Sequence, residues 1–200
     1  LFLSAFLPST PIDPAGRPQY HRNSMESPLE SSAESAVPLP LSTPSVPVEH
    51  KLAPFNPVCE ECLNVAVELF DFSDGDVLFD LGCGDGRSLV ACALDCPSLR
   101  CVGVECDERL ALRARARAAE AGVADRVTIV LGDACTADLS SATKIFVYLV
   151  PDGLKVMQPV LTAALDRGVT IVSYMFSLPD ETPTEKRLCR GFVKVSRYTR

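Results

Sequence analysis

The stretch Val77-Leu78-Phe79-Asp80-Leu81-Gly82-Cys83-Gly84-Asp85-Gly86-Arg87 restricts the fold more than any other part of the chain. The run Val77 to Leu81 is short and mostly apolar, as a buried parallel strand is. Three glycines at alternate positions follow at once. Glycine reaches positive φ at little cost and lets a backbone or ligand come close, so this is a tight loop. Helical spacing then begins at about Arg87 and runs to Leu94. A strand, a glycine loop and a helix in that order open a βαβ unit, whose crossover is right-handed.

The rest of the chain keeps this alternation. Val58 to Phe70 places Val58, Cys62, Val65, Ala66 and Leu69 at helical spacing, and Asp74-Gly75-Asp76 is a turn. Strands are expected at Leu99 to Glu105, Arg126 to Leu131, Lys144 to Val150, Val169 to Phe176 and Gly191 to Arg197. Between them fall a helix from Asp107 to Ala121 and another from Asp152 to Asp166, the latter broken before Pro159. Asp107 can cap its helix, Glu108 suits the positive end of the dipole, and Gly122 ends the helix. Alternating strands and helices predict an α/β fold around a mostly parallel, doubly wound sheet.

Ligands of such sheets sit at the carboxyl ends of the strands. The first strand ends at Asp80, and the loop reads Gly82-x-Gly84-x-Gly86. A dinucleotide site prefers Gly-x-Gly-x-x-Gly, with room for a pyrophosphate at the helix N-terminus. Here the third glycine comes one residue early and an acid, Asp85, precedes it. That loop suits a cofactor with an amino-acid tail and a sulfonium better than one with a pyrophosphate. Glu105 ends the second strand, 23 residues after Gly82, where a carboxylate can accept from both ribose hydroxyls. Asp133, in Leu131-Gly132-Asp133-Ala134, follows the third strand and can accept from an adenine amino group, with the Ala134 backbone alongside. Cys83 reads as a small filler whose backbone serves the ligand. The cofactor set is therefore Asp80, Gly82, Cys83, Gly84, Gly86, Glu105, Asp133 and Ala134, and the cofactor S-adenosyl-L-methionine.

Residues 77 to 150 resemble the core of the class I S-adenosylmethionine-dependent methyltransferases. That resemblance implies a Rossmann-like sheet. Phe55-Asn56-Pro57, the loop from Asp80 to Arg87, Tyr148-Leu149-Val150-Pro151 and Ser173-Tyr174-Met175-Phe176-Ser177-Leu178-Pro179 are similar to one subgroup. Its members are the lysine methyltransferases of the ATP synthase c-subunit and the adenine nucleotide translocase. The similarity covers about residues 54 to 180 and implies a protein-lysine N-methyltransferase with a protein substrate. Two departures stand out. There is no clear N-terminal membrane anchor, and about twenty residues after the fifth strand are too few for a full helix and closing hairpin, so a shortened C-terminal end is expected.

Tyr148 and Pro151 are the candidates for positioning the acceptor, and Phe55, Asn56 and Leu149 for contacting it. Asp152 reads as a helix cap before it reads as a group steering a cation. Adenine and glutamine amino-methyltransferases usually carry Asn/Asp-Pro-Pro-Tyr here. Tyr-Leu-Val-Pro is compatible with an aliphatic amine instead. A small-molecule or RNA acceptor is the alternative, and a non-catalytic Rossmann-like binding domain is the alternative of another class.

Cys59-Glu60-Glu61-Cys62 has zinc-like spacing, but one such pair falls short of four ligands, so no metal is expected. Nine cysteines, an odd number, read as mostly free, buried thiols in a reducing compartment. Arg113 and Arg117 share a helix face while Arg115 points elsewhere, and the three read as part of a solvated Ala/Arg helix rather than a site for an anionic partner. The net charge of −7 disfavours nucleic acid as a partner.

Residues 8 to about 48 are rich in Pro and Ser and read as a disordered tail, with a methyltransferase domain from residue 51. Glu26, Glu30 and Glu34 argue against a transit peptide there, leaving mitochondrion and cytoplasm both open. The opening Leu1-Phe2-Leu3-Ser4-Ala5-Phe6-Leu7 is too short to span a bilayer. It reads as the end of a longer anchor or targeting segment, or as a gene-model artefact. Membrane association is expected only through such a segment.

Overall fold

The computed structural model describes residues 52–200. The Pro/Ser-rich segment, the apolar opening and the expected domain boundary lie outside the described residues. In chain order the elements are α1 (Glu60–Phe70), β1 (Val77–Leu81), α2 (Arg87–Asp95), β2 (Arg100–Glu105), α3 (Glu108–Glu120), β3 (Val127–Leu131), β4 (Lys144–Val147), α4 (Pro151–Asp166), β5 (Thr170–Tyr174), β6 (Glu185–Cys189) and β7 (Val193–Tyr198). The strands form one sheet in the order β3-β2-β1-β4-β5-β7-β6. β1 to β5 pair in parallel, and β7 runs antiparallel between β5 and β6. From β1 the chain winds outward to β2 and β3, then returns to β4 on the other side. The carboxyl ends of β1 and β4 therefore part around a crevice, the usual ligand position in open sheets.

Successive strand residues face opposite sides, and this places the site acid. Leu78 belongs to the core under α1, α2 and α3, whereas Phe79 and Leu81 belong to the core under α4. Asp80 shares its parity with Leu78 and so faces α2. Both cores are closed by fully buried side chains such as Leu69 and Phe70 on α1 and Leu154 and Leu165 on α4. Each such burial contributes about 1.5–3 kcal/mol.

Local signals explain most element ends. Asp107 caps α3, its carboxylate accepting from the Arg109 and Leu110 N–H groups. Gly122, at φ +70°, closes that helix as expected. α1 starts two residues later than its apolar spacing suggests, with Cys59 as N-cap and no side-chain cap bond.

Several expectations are corrected. α4 runs unbroken through Pro159. Pro159 is exposed, so the carbonyl that loses its partner faces water. Asp152 does not cap α4. Val150 is the N-cap, and Asp152 lies in the first turn, paired with Lys155 at 3.0 Å. β4 ends at Val147, which leaves Tyr148 to Val150 in the following loop.

The C-terminal end is shortened differently from expectation. A complete hairpin, β6–β7, closes the sheet, and the helix between β5 and β6 is what is missing. Residues 175 to 184 take its place as a loop. Leu178 is buried there, and its N–H donates to the hydroxyl of the buried Tyr198 at 3.0 Å.

The cysteines also depart in part. Cys62 is bonded to Cys189. The other seven are free, with Cys83, Cys92 and Cys101 buried. Among the described residues, no helix is long and apolar enough to cross a membrane.

Candidate functional site

The glycine loop is shaped by its own backbone and by two neighbours. Gly82, Gly84 and Gly86 all take positive φ, at +86°, +56° and +74°. The Gly82 and Cys83 N–H groups both donate to the Val104 carbonyl, at 2.9 and 3.1 Å, and the Cys83 carbonyl accepts from Gly86. The Cys83 N–H is therefore spent inside the protein, and its side chain packs against Gly103 of β2. Cys83 lines the cleft, with its N–H turned to Val104 and its carbonyl retaining one lone pair.

Asp80 lies at the loop's entrance, 3% exposed, and accepts a hydrogen bond from the Ser88 hydroxyl on α2. Burial raises its carboxyl to about 7; the Ser88 bond opposes this and the nearby Glu105 charge adds to it. Asp85 behaves oppositely. It is held bidentately by Arg87 at 2.9 and 2.7 Å and by Arg117 of α3 at 2.8 Å. Its desolvation is outweighed by the bonds and charges of the two guanidiniums, so its carboxyl is lowered. Arg117 is thus a partner of the loop and not only part of a solvated face. Arg115 likewise donates to the Ile129 carbonyl at 2.9 Å.

Glu105 is buried at the end of β2. It accepts from the Gly84 N–H at 2.7 Å and from the Cys106 and Asp107 N–H groups, each at 2.9 Å. Three of its roughly four lone-pair positions are filled, which leaves room for one ligand hydroxyl rather than two. Asp133 uses one oxygen to accept from the Cys135 N–H at 2.8 Å. Asp133 borders the cleft together with Ala134.

These groups meet in one cleft of about 950 Å³, including its open mouth. Asp80, Gly82, Cys83, Gly84, Glu105, Asp133 and Ala134 line it, and Phe55, Asn56, Tyr148 and Leu149 line it too. Two candidates are not brought in. Gly86 lies behind the loop, where a Cβ would come within 2.8 Å of the Ala114 Cβ. Pro151 is exposed at the first position of α4, where its fixed φ suits a helix start.

Sequence reasoning missed Ser88, Asp107, Leu110 and the segment Leu52 to Pro54, which also border the cleft. A hydroxyl at the second position of α2 was the available signal for Ser88.

The segment before α1 forms the outer wall. Its Phe55 ring lies over Gly84, where a Cβ would come within 2.7 Å of the ring. The Asn56 amide donates to the Tyr148 hydroxyl at 2.9 Å. That hydroxyl points on to the Met175 sulfur at 3.8 Å, and the Tyr148 ring meets Tyr174 edge-on at 4.6 Å. Met175 itself sits at φ +69° in a tight turn, with the Phe176 N–H donating to the Tyr174 carbonyl. Non-glycine residues in that region tend to mark functional sites.

The residues fit S-adenosylmethionine. Buried acids with spare acceptor capacity face a cleft without a basic cradle for phosphate, since Arg87 is tied to Asp85. A Gly84 side chain would close the space between loop and Phe55.

Comparison with known proteins agrees. The ANTKMT methyltransferase domain family matches residues 80–185. A protein-lysine N-methyltransferase of Saccharolobus islandicus is 32% identical over 132 residues, covering 66% of this chain and 82% of the relative. A probable cobalt-precorrin-6B C(15)-methyltransferase (decarboxylating) of Pyrobaculum calidifontis is 33% identical over 133 residues, 64% of this chain and 67% of the relative. The crystal structure of an RNA methyltransferase from Salinibacter ruber with S-adenosyl-L-homocysteine aligns with a TM-score of 0.65 and 35% identity. The alignment covers 72% of this chain and 93% of that one. The matched span starts at the site acid Asp80 and ends in the closing hairpin, and the chain belongs to the ANTKMT methyltransferase domain family of class I, S-adenosylmethionine-dependent enzymes.

Proposed function

We propose that this methyltransferase is a protein-lysine N-methyltransferase, with a lysine ε-amine of a protein substrate as acceptor. The observation that carries the reading is the acceptor side of the cleft. It is built from Tyr148, Leu149 and Phe55, with Tyr174 and Met175 behind Tyr148. It lacks the polar Asn/Asp-Pro-Pro-Tyr grip suited to a planar nitrogen. The family match and the archaeal lysine methyltransferase support the same reading.

S-adenosylmethionine supplies a methyl carbon already activated by its sulfonium. In this reading Glu105 holds a ribose hydroxyl, Asp133 the adenine amino group, and Asp80 the cationic amino-acid end. The protein's remaining tasks are alignment and exclusion of water. A lysine arrives protonated, with a solution pKa of about 10.4. Apolar walls at Phe55 and Leu149 disfavour its charged form and so release the proton to solvent. Tyr148 has its hydroxyl engaged by Asn56 and Met175 and its ring against Tyr174. It acts as a fixed wall, not a base.

The RNA methyltransferase likeness favours a second reading, an RNA acceptor. Transfer of labelled methyl from S-adenosylmethionine into fractionated lysate separates the two. Label in protease-sensitive material, recovered as methyl-lysine, is expected. Label that survives protease, or runs with nucleic acid, would overturn the lysine reading. Absence of S-adenosylmethionine binding by calorimetry would argue for a non-catalytic domain.

A further inference from the structure

Outside the cleft, three sulfurs meet. Those of Cys59, Cys62 and Cys189 all lie within 4.8 Å of one another. Cys62 and Cys189 are bonded across a sequence separation of 127, with Cα atoms 5.6 Å apart. Both are buried, at 0% and 5% exposure. Cys59 is free and only partly buried. It is the N-cap of α1, and Cys62 stands in the first turn, its N–H donating to the Cys59 carbonyl at 3.1 Å. Arg190, next to Cys189, pairs with Glu61 and lies in the electrostatic neighbourhood of Cys59. A reachable thiol therefore sits beside a bond that solvent does not reach.

We propose that Cys59, Cys62 and Cys189 form a thiol–disulfide exchange site. The Cys59 thiolate attacks the Cys62 sulfur, so that a Cys59–Cys62 bond forms and the Cys62–Cys189 bond breaks. Cys189 leaves as a thiolate and takes up one proton, matching the one Cys59 gave to solvent. This internal step involves no net oxidation. The bond is made or opened by a small thiol/disulfide couple of the glutathione type. In forming it, the small disulfide takes two electrons and two protons from the cysteine pair and becomes two thiols.

Exchange depends on access, so Cys59 is the entry point for that couple. The Cys62–Cys189 form ties the β6–β7 hairpin to α1. The Cys59–Cys62 form keeps the bond within the start of α1 and removes the covalent tie to the hairpin, which stays paired through β7 and β5. Zinc is the competing occupant. A structural zinc site takes four ligands. This cluster supplies three among the described residues, and two are already bonded to each other.

The test uses the full chain, oxidised with glutathione disulfide, alkylated and mapped by mass spectrometry. Wild type is expected to carry Cys62–Cys189 with Cys59 alkylated. Cys189→Ser is expected to carry Cys59–Cys62. Cys59→Ser is expected to keep Cys62–Cys189 but to be reduced by glutathione about tenfold more slowly. Alkylating Cys59 in the folded, oxidised wild type should slow reduction equally, and this arm needs no variant. An unchanged rate after blocking Cys59 would overturn the proposal. So would a Cys62 left fully alkylated in Cys189→Ser, or one zinc per chain that alkylation releases.

Discussion

Arg117 on α3 reaches back 32 residues to Asp85, donating from Nε to the Asp85 carbonyl at 3.0 Å and from Nη2 to its carboxylate at 2.8 Å. One side chain thus fixes both the backbone and the acid of the glycine loop. Arg117→Ala should cost about 1–2 kcal/mol in denaturant unfolding, since one bond to the loop backbone is lost and the ion pair, exposed on its Arg117 side, adds little while Arg87 still holds Asp85. The sign with pH is definite. A carboxyl lowered on folding stabilises above its unfolded pKa, and that stability fades as pH falls through the lowered value. Unfolding measured between pH 7 and pH 3 should therefore show a shallower acid loss in Asp85→Asn than in wild type.

Asp80 predicts the opposite slope, only five residues away. Its carboxyl stands at about 7, raised chiefly by burial. A carboxyl raised on folding stabilises fully below its unfolded value of about 3.9 and loses that contribution as pH rises through about 7. A cationic ligand end favours the ionised form. S-adenosylmethionine should therefore bind more weakly as pH falls below 7, by up to about tenfold per pH unit. It should release close to one proton at pH 6. Calorimetry in two buffers of different ionisation enthalpy measures that proton. Asp80→Asn should flatten the profile. A wild-type affinity independent of pH between 5.5 and 8 would remove Asp80 from the cation's surroundings.

Gly84 lies beneath the Phe55 ring, at φ +56°. An added Cβ meets the ring and also carries the steric cost of a left-handed residue, about 1–2 kcal/mol. Gly84→Ala should weaken cofactor binding at least about tenfold, equivalent to about 1.4 kcal/mol. Adding Phe55→Ala opens the space but leaves the backbone strain, so the double variant should recover only part of the affinity. Full recovery would show that the ring contact is the whole effect, and no recovery would show that it is none of it.

Legibility in the sequence followed the range of the signal. The β1–loop–α2 unit was readable because apolar run, glycines and helical spacing lie within about twenty residues. Asp107 announced α3 through its own capping chemistry. β6 was missed because Glu185-Lys186-Arg187-Leu188-Cys189 is an edge strand whose polar side chains blur the apolar signal. Gly86 looked like a ligand glycine, yet its lack of a side chain answers Ala114 on α3. The Asp85–Arg117 tie and the Cys62–Cys189 bond join residues that only the folded sheet brings together, and no local pattern encodes either. The three strand-end acids line one cleft because three parallel strands end at one edge, which the alternation already implied.

Tyr148 and Asn56 lie 92 residues apart and are joined by one hydrogen bond of 2.9 Å, a tether from the sheet to the outer wall of the cleft. Tyr148→Phe removes it while keeping the ring against Tyr174. Asn56 is exposed and can turn to water, so unfolding should change by less than about 1 kcal/mol. Cofactor affinity should stay within about twofold, because the acids that border the cleft are untouched. The wall carrying Phe55 and Asn56 loses its anchor, so the acceptor KM should rise by about tenfold while kcat falls by less than about tenfold. A base would behave differently. Had the Tyr148 hydroxyl taken the acceptor's proton, kcat would fall by about 10²–10⁴ with a changed pH–rate profile. Steady-state kinetics of the variant between pH 7 and pH 10, with the acceptor varied at saturating cofactor, separates a wall from a base.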